Sequence, residues 1–296
     1  MPVAENQPTP FPDVNALLHD LLESARAILG SHFIGMYLDG SLAGGGFDQD
    51  SDIDFVVVTD SEITDNLFLA LQAMHDRIAA SDAAWALAWA IQLEGSYLSE
   101  QALRRHDPTL ARHPNIERGA GERLKMVDHG EGWNVHRSIL WEKGIVLAGP
   151  APQSLMDPVA PDQLRGAMRS TLSGWGTGLL NDPAQITQRG YQSYIVLSLC
   201  RILYTLEYGA VASKPAAAQW AQETLDVRWT PLIERAWAGR HTPGLAVAPE
   251  DVAETLALMR YALERNTSTI VTECAGSSTI PSWKFSSTAA GNTRLG

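Results

Sequence analysis

Apolar residues recur at three-and-four spacing from Val14 to Leu29 ("VNALLHDLLESARAIL"), and Gly30 follows where such a helix would stop. The period then changes. "FIGMYL" (33–38) and "DIDFVVV" (52–58) are short apolar runs that predict two strands, joined through a glycine-rich turn. Residues 62–80 return to helical spacing, and 89–98, inside "AWALAWAIQLEGSYL", predict a third strand. From Leu103 to Glu122 the chain is polar and carries Pro108 and Pro114, which predicts a long loop. "WNVHRSILWEKGIVLAGPAP" predicts a helix ending near Gly144, then a short extended piece and a turn.

"SLMDPVAPDQL" predicts a linker, because the pattern differs on its two sides. Beyond Pro161, "DQLRGAMRSTLSGW", "YQSYIVLSLCRILYTLEYG", "KPAAAQWAQETL", "TPLIERAWAG" and "PEDVAETLALMRYALERN" all carry helical spacing. Asp162 and Thr230 stand where N-caps are expected, Gly209 and Gly239 where C-caps are. The fold class expected is therefore an α/β domain over 13–157 followed by an all-α helical bundle over 158–275. Residues 1–12, with four prolines, and the Ser/Thr/Gly-rich 276–296 are expected to be disordered tails.

Composition narrows the class of function. The 296 residues are 45% apolar and 19% charged, enough to bury cores in two domains. The net charge of -12 argues against a nucleic-acid backbone as partner and suits a soluble protein or one that accepts a cationic small molecule. No apolar run is long enough for a membrane span, and "MPVAENQPTPFPD" lacks the features of a signal peptide, so a cytoplasmic location is expected. Cys200, within "IVLSLC", is expected to be a small core residue, and Cys200 and Cys274 form no metal or redox spacing.

The chemistry gathers in "LDGSLAGGGFDQDSDIDFVVV" (38–58). Small residues let backbone N–H groups approach an anion. Asp52 and Asp54 lie two apart at the start of a strand, so both side chains leave the same face. Such carboxylates repel unless a cation sits between them, and Mg²⁺, which also accepts phosphate oxygens, fits that place. An edge strand with two solvated aspartates is the simpler alternative. "DHGEGWNVHR" brings His129, Glu131, Trp133 and His136 close in sequence, but the spacing matches no zinc pattern, and solvated histidines are the expectation.

Gly40-Ser41, ten residues, then Asp52-Ile53-Asp54 resembles the active-site motif of polymerase-β-type nucleotidyltransferases. The resemblance implies a mixed sheet with helices, Ser41 and its backbone around a triphosphate, and Asp52 and Asp54 on Mg²⁺. Glu94, acidic within an apolar strand, is the third carboxylate implied, as general base or as a further metal ligand. The second half resembles the helical domain of aminoglycoside (streptomycin/spectinomycin) adenylyltransferases. This implies transfer of AMP from ATP to a hydroxyl of an aminoglycoside-like acceptor, by a monomer or weak dimer. It also implies Arg201 and Lys214 on the phosphates, Tyr261 near the nucleotide, and Ser51 assisting Ser41. Arg201 also fits a buried ion pair, Lys214 a surface helix start, and Tyr261 simple packing. Trp175 and Asp182 are the acceptor contacts implied, with Trp175 also suited to a core. Tyr191, Gln192 and Ser193 stand where that family carries acids, which leaves the acceptor open. The other readings are a regulatory or antitoxin-like module on the same fold, and an adenylyltransferase for a non-aminoglycoside acceptor.

Overall fold

A computed structural model describes residues 7–110, 112–128 and 130–270, with side chains to Asn266. The chain divides into two compact units, 1–159 and 160–296.

The first unit is built on a six-stranded mixed sheet of order β5-β4-β3-β2-β1-β6. Its elements run α1 (Pro12–Leu29), β1 (Phe33–Leu38), α2 (Gly40–Gly44), β2 (Ile53–Thr59), α3 (Asp65–Ala79), α4 (Ala84–Trp89) and β3 (Leu93–Ser99). They continue α5 (Glu100–Arg104), β4 (Arg112–Ile116), β5 (Lys125–Asp128), α6 (Trp133–Lys143), β6 (Ile145–Ala148) and α7 (Pro152–Leu155). β2 and β3 are parallel, and every other neighbouring pair is antiparallel. Parallel pairing requires a crossover, which α3 and α4 supply. Alternate strand residues Met36, Leu38, Ile53, Phe55, Val57 and Tyr97 join Leu17, Leu21, Leu71 and Met74 of the helices in one core.

The expected glycine turn after β1 contains the short helix α2, and the stretch expected as a long loop holds β4. Pro114 is accommodated because β3 pairs β4 only at Asn115 and Ile116, leaving the missing N–H outside that ladder. β5, too short and too polar to stand out in sequence, completes the sheet edge. Residues 7–12 also depart from the expectation. Thr9 is buried and its hydroxyl donates to Asn15 Oδ1 at 2.7 Å, while Pro12 opens α1, where a proline's missing N–H costs nothing. The rest of that segment, and residues 271–296, lie outside the described residues.

The second unit contains α8 (Pro161–Thr171), α9 (Thr177–Asn181), α10 (Arg189–Tyr208), α11 (Lys214–Thr224), α12 (Thr230–Gly239) and α13 (Pro249–Ile270). A π-helical widening at Leu172–Gly176 joins α8 to α9. α10 is the central helix: Ile195, Val196, Leu199, Cys200 and Leu203 are buried, and α8, α11, α12 and α13 surround it. Cys200 is a free core thiol, its pKa pushed up to about 12 by burial. Gly209 caps α10 in the left-handed region, φ 62°. The other expected caps shift by a residue or two. Ala160 and Trp229 are the N-caps of α8 and α12, with Pro161 and Pro231 in the first turns, and Gly239 is the last residue of α12.

Candidate active site

β2 and β3 share one burial pattern, a single partly exposed residue at the second position of an otherwise buried seven-residue strand. Those residues are Asp54 and Glu94, and the parallel register sets them directly opposite one another. An acid survives in an apolar strand only where it reaches the end of the sheet, and both do so on the same row. Gly95 follows Glu94 because a Cβ there would overlap the Phe55 ring.

Gly40 meets this row from the other side. The Asp39 N–H donates to the Asp54 carbonyl at 3.0 Å, bringing the chain after β1 over the start of β2. Gly40 has φ 56°, and a Cβ on it would overlap the Asp54 carboxylate. Glycine is required here on both counts. The next residue, Ser41, buries its hydroxyl with no hydrogen-bond partner in the protein. A buried unpaired hydroxyl is uncommon, and this one is available to a ligand.

Asp52 lies one residue before β2 and is paired with Arg118 Nη1. Ser51 does not extend toward Ser41 for a hydrogen bond. Its hydroxyl donates to Asp48 Oδ1 at 2.8 Å and accepts from the Asp48 N–H at 3.0 Å, closing the turn that delivers Asp52. Phe47 fastens the same loop, its ring 4.9 Å from Phe11 and 5.6 Å from Trp89. The N-terminal segment thus braces the loop.

Electrostatics set Glu94 apart. Burial, then the charges of Asp54 and Asp52, raise its pKa well above the usual carboxylate range, and Arg118 offsets only part of this. Among the described residues no three His, Cys, Asp or Glu side chains converge as a ready metal cage. Mg²⁺ takes one or two carboxylates and completes its shell with water and phosphate, so Asp52 and Asp54 would be donors enough for it. Crowded hard oxygens, a raised acid and an unpaired hydroxyl alongside fit a magnesium-bound triphosphate.

Arg118 was not apparent in the sequence, because its partner lies 66 residues away and its own surroundings read as polar loop. Asp39 and His136 also pair across the chain. Asp39, 1% exposed, takes His136 Nδ1 at 2.5 Å and anchors the Gly40–Ser41 turn to α6. His136 therefore serves a carboxylate, and the ring of its neighbour Trp133 lies tilted against it at 4.9 Å. His129 lies outside the described residues.

The remaining expected site residues belong to the helical unit. Arg201 Nε donates to the Ala212 carbonyl at 3.1 Å, fastening the turn that leads to Lys214. Lys214 is the first residue of α11, partly buried, after the N-cap Ser213. Tyr261 packs 5.8 Å from Trp229, and its hydroxyl accepts from Arg265 Nη1 at 3.2 Å. Trp175 sits in the π-helical widening, edge-on to Tyr194 at 6.2 Å, and Tyr194 stacks on Tyr191 at 6.2 Å. Asp182 is exposed at the end of α9 and accepts from Gln185 Nε2 at 3.0 Å. Tyr191, Gln192 and Ser193 lie within α10, and Gln192 and Ser193 are fully buried there. Uncharged residues at 192 and 193 are thus explained by burial.

A Gly-Ser turn over paired strand-end carboxylates on a mixed sheet is the arrangement that the nucleotidyltransferase resemblance implies. Residues 154–265 match the family model described as aminoglycoside adenylyltransferase, C-terminal domain. An aminoglycoside (3'') (9) adenylyltransferase from Escherichia coli is 25% identical over 264 residues, 82% of this chain and 92% of that protein. A spectinomycin 9-adenylyltransferase from Campylobacter jejuni is 24% identical over 229 residues, 74% of this chain and 82% of that one. Over most of its length the chain is thus similar to aminoglycoside and spectinomycin adenylyltransferases. Its fold is shared with spectinomycin adenyltransferase AAD(9) from Enterococcus faecialis, a crystal structure with ATP and spectinomycin. That match has a TM-score of 0.63 at 15% identity and covers 85% of this chain and 98% of that one.

Proposed function

We infer that this chain is an adenylyltransferase that moves AMP from ATP to a hydroxyl of an aminoglycoside-type antibiotic, with Mg²⁺ as the metal. The observation that carries it is the parallel register of Asp54 and Glu94 beneath the Gly40 turn. Asp52 and Asp54 would hold the metal, which supplies positive charge to the triphosphate and to the leaving pyrophosphate. Ser41 would donate its unpaired hydroxyl to a phosphate oxygen. Glu94 would take the proton from the acceptor hydroxyl as its oxygen bonds to the α-phosphorus. The bond from that phosphorus to the bridging oxygen breaks, and pyrophosphate leaves. A carboxylate with a raised pKa is the stronger base for this step.

Arg201, Lys214 and Tyr261 enter this reading as nucleotide contacts, and Trp175 and Asp182 as acceptor contacts. The aromatic group Trp175, Tyr194 and Tyr191 supports an amine-rich acceptor, because ammonium groups bind ring faces. The Escherichia coli and Campylobacter jejuni relatives, by name, act on the 3'' and 9 positions of aminoglycosides and on the 9 position of spectinomycin. Incubation with Mg²⁺, each of the four NTPs and an aminoglycoside panel tests the reading. ATP-dependent pyrophosphate release and an acceptor heavier by one AMP are expected. Nucleotide binding with no aminoglycoside modified would move the reading to a different hydroxyl-bearing acceptor.

A further inference from the structure

We propose that Arg118 is a placeholder cation, neutralising Asp52 in the nucleotide-free protein and turning onto phosphate oxygens when a metal-bound triphosphate enters. The inference rests on the reading of Asp52 and Asp54 as metal-holding carboxylates.

Arg118 lies two residues beyond β4. Its Nη1 pairs with Asp52 Oδ1 and approaches the Asp50 carbonyl at 3.5 Å. The Gly119 N–H donates to the Ile91 carbonyl at 2.8 Å, so the backbone beside it is held while its side chain, 45% exposed, is free to swing without opening a core. The adjacent Glu117 has its own cation, Lys125 Nζ at 3.6 Å. Arg118 is thus directed at the aspartates. The acids acting on Glu94 are Asp54, Asp52 and Glu117, and the base acting on it is Arg118. A guanidinium carries one positive charge where a divalent ion carries two, so Arg118 can hold the place of such an ion at Asp52 but cannot replace it.

A guanidinium presents the same planar fork to carboxylate and to phosphate, which makes the exchange chemically even-handed. A bare divalent ion must compete with Arg118 for Asp52 and offers it nothing in return. A metal-bound triphosphate displaces Arg118 and supplies a new anionic partner. The arrangement therefore disfavours metal alone and favours metal that arrives with nucleotide. Removing the arginine should move the two affinities in opposite directions, which the loss of a purely structural contact would not do.

The test measures both on Arg118→Gln. Mn²⁺ binding without nucleotide is followed by electron paramagnetic resonance, and binding of adenylyl imidodiphosphate with Mg²⁺ by calorimetry. Mn²⁺ should bind about tenfold tighter and the nucleotide about tenfold more weakly, the scale of one charge-assisted contact. Arg118→Lys, which keeps the charge and loses the fork, should show smaller shifts in the same opposed directions, and it decides the matter if the glutamine variant does not fold. Both affinities unchanged, or both weakened together, overturn the proposal. Arg118→Gln combined with Asp54→Asn separates the two readings. Loss of Mn²⁺ binding there keeps the metal pair even where Arg118→Gln alone shifts nothing, and retained binding removes the metal pair itself.

Discussion

Asp251, at the start of α13, accepts hydrogen bonds from Arg189 and from Arg235 Nε at 2.7 Å, and Arg235 also reaches Glu254 at 2.6 Å. Two acids there meet two guanidinium groups. On the end of the β2–β3 pair, Arg118 pairs with Asp52 and offsets only part of what Asp54 and Asp52 do to Glu94. The consequences differ in sign. Burial opposes ionisation of Asp251, but the bonds from Arg189 and Arg235 outweigh it and lower its pKa. Burial and neighbouring acids raise that of Glu94. A balanced cluster fastens α10, α12 and α13 together. A row whose acids still raise a neighbour's pKa is where chemistry is expected.

Asp54→Asn should break the comparison most severely. AMP transfer should fall at least ~1000-fold, since the charge that positions the metal is gone. The metal-free protein should melt at the same temperature or higher, because one of the crowded charges has been removed. Pyrophosphate release and calorimetry measure the two effects, and near-normal turnover would remove the two-carboxylate reading.

Glu94→Gln comes next. Transfer should slow by roughly 100-fold with ATP affinity retained, the usual scale of lost general-base assistance. If ATP affinity collapses while the rate at saturation holds, Glu94 is a metal ligand.

Asp251→Asn sharpens the contrast from the other side. It should leave turnover per folded molecule unchanged and lower stability by about 2–3 kcal/mol, less than a fully enclosed pair because Arg235 reaches solvent. Urea unfolding measures it, and a neutral result would show that the balanced cluster fastens nothing.

The smallest effect is in pH. With its folded pKa below the usual 3.8, Asp251 gives stability that is present above that value and lost on acidification. Glu94, with its folded pKa well above the usual 4.5, keeps a proton that the unfolded chain has released, so metal-free stability falls as pH rises from there. Urea midpoints in chelator should show Asp251→Asn flattening the acid side and Glu94→Gln the alkaline decline. Identical profiles for wild type and Glu94→Gln would overturn the assigned electrostatics.

Much of this was legible along the chain. The Gly-Ser and Asp-x-Asp spacing, the acid inside "AIQLEGSYL" and the long apolar helix "YIVLSLCRILYTLEYG" are local patterns, and local patterns survive without coordinates. The burial of Cys200 and the left-handed cap at Gly209 follow from the same kind of reasoning. The role of Ser51 did not, because a hydroxyl near a motif can serve the ligand or the loop, and only its contact with Asp48 distinguishes them. Nor did the bracing of the loop by Phe11, which sits in a proline-rich stretch with no periodicity of its own.

The sequence by itself determined which residue types are present, where hydrophobic period changes from helix to strand, and that two acids leave one strand end together. The tertiary structure decided which distant charges meet them. Glu94 faces Asp54 through strand register, Arg118 reaches Asp52 across 66 residues, and His136 finds Asp39 from another helix. Periodicity is set by backbone geometry within a few residues and is written locally. Charge balance depends on distances through space and on the water displaced between groups, and neither exists until the sheet has formed.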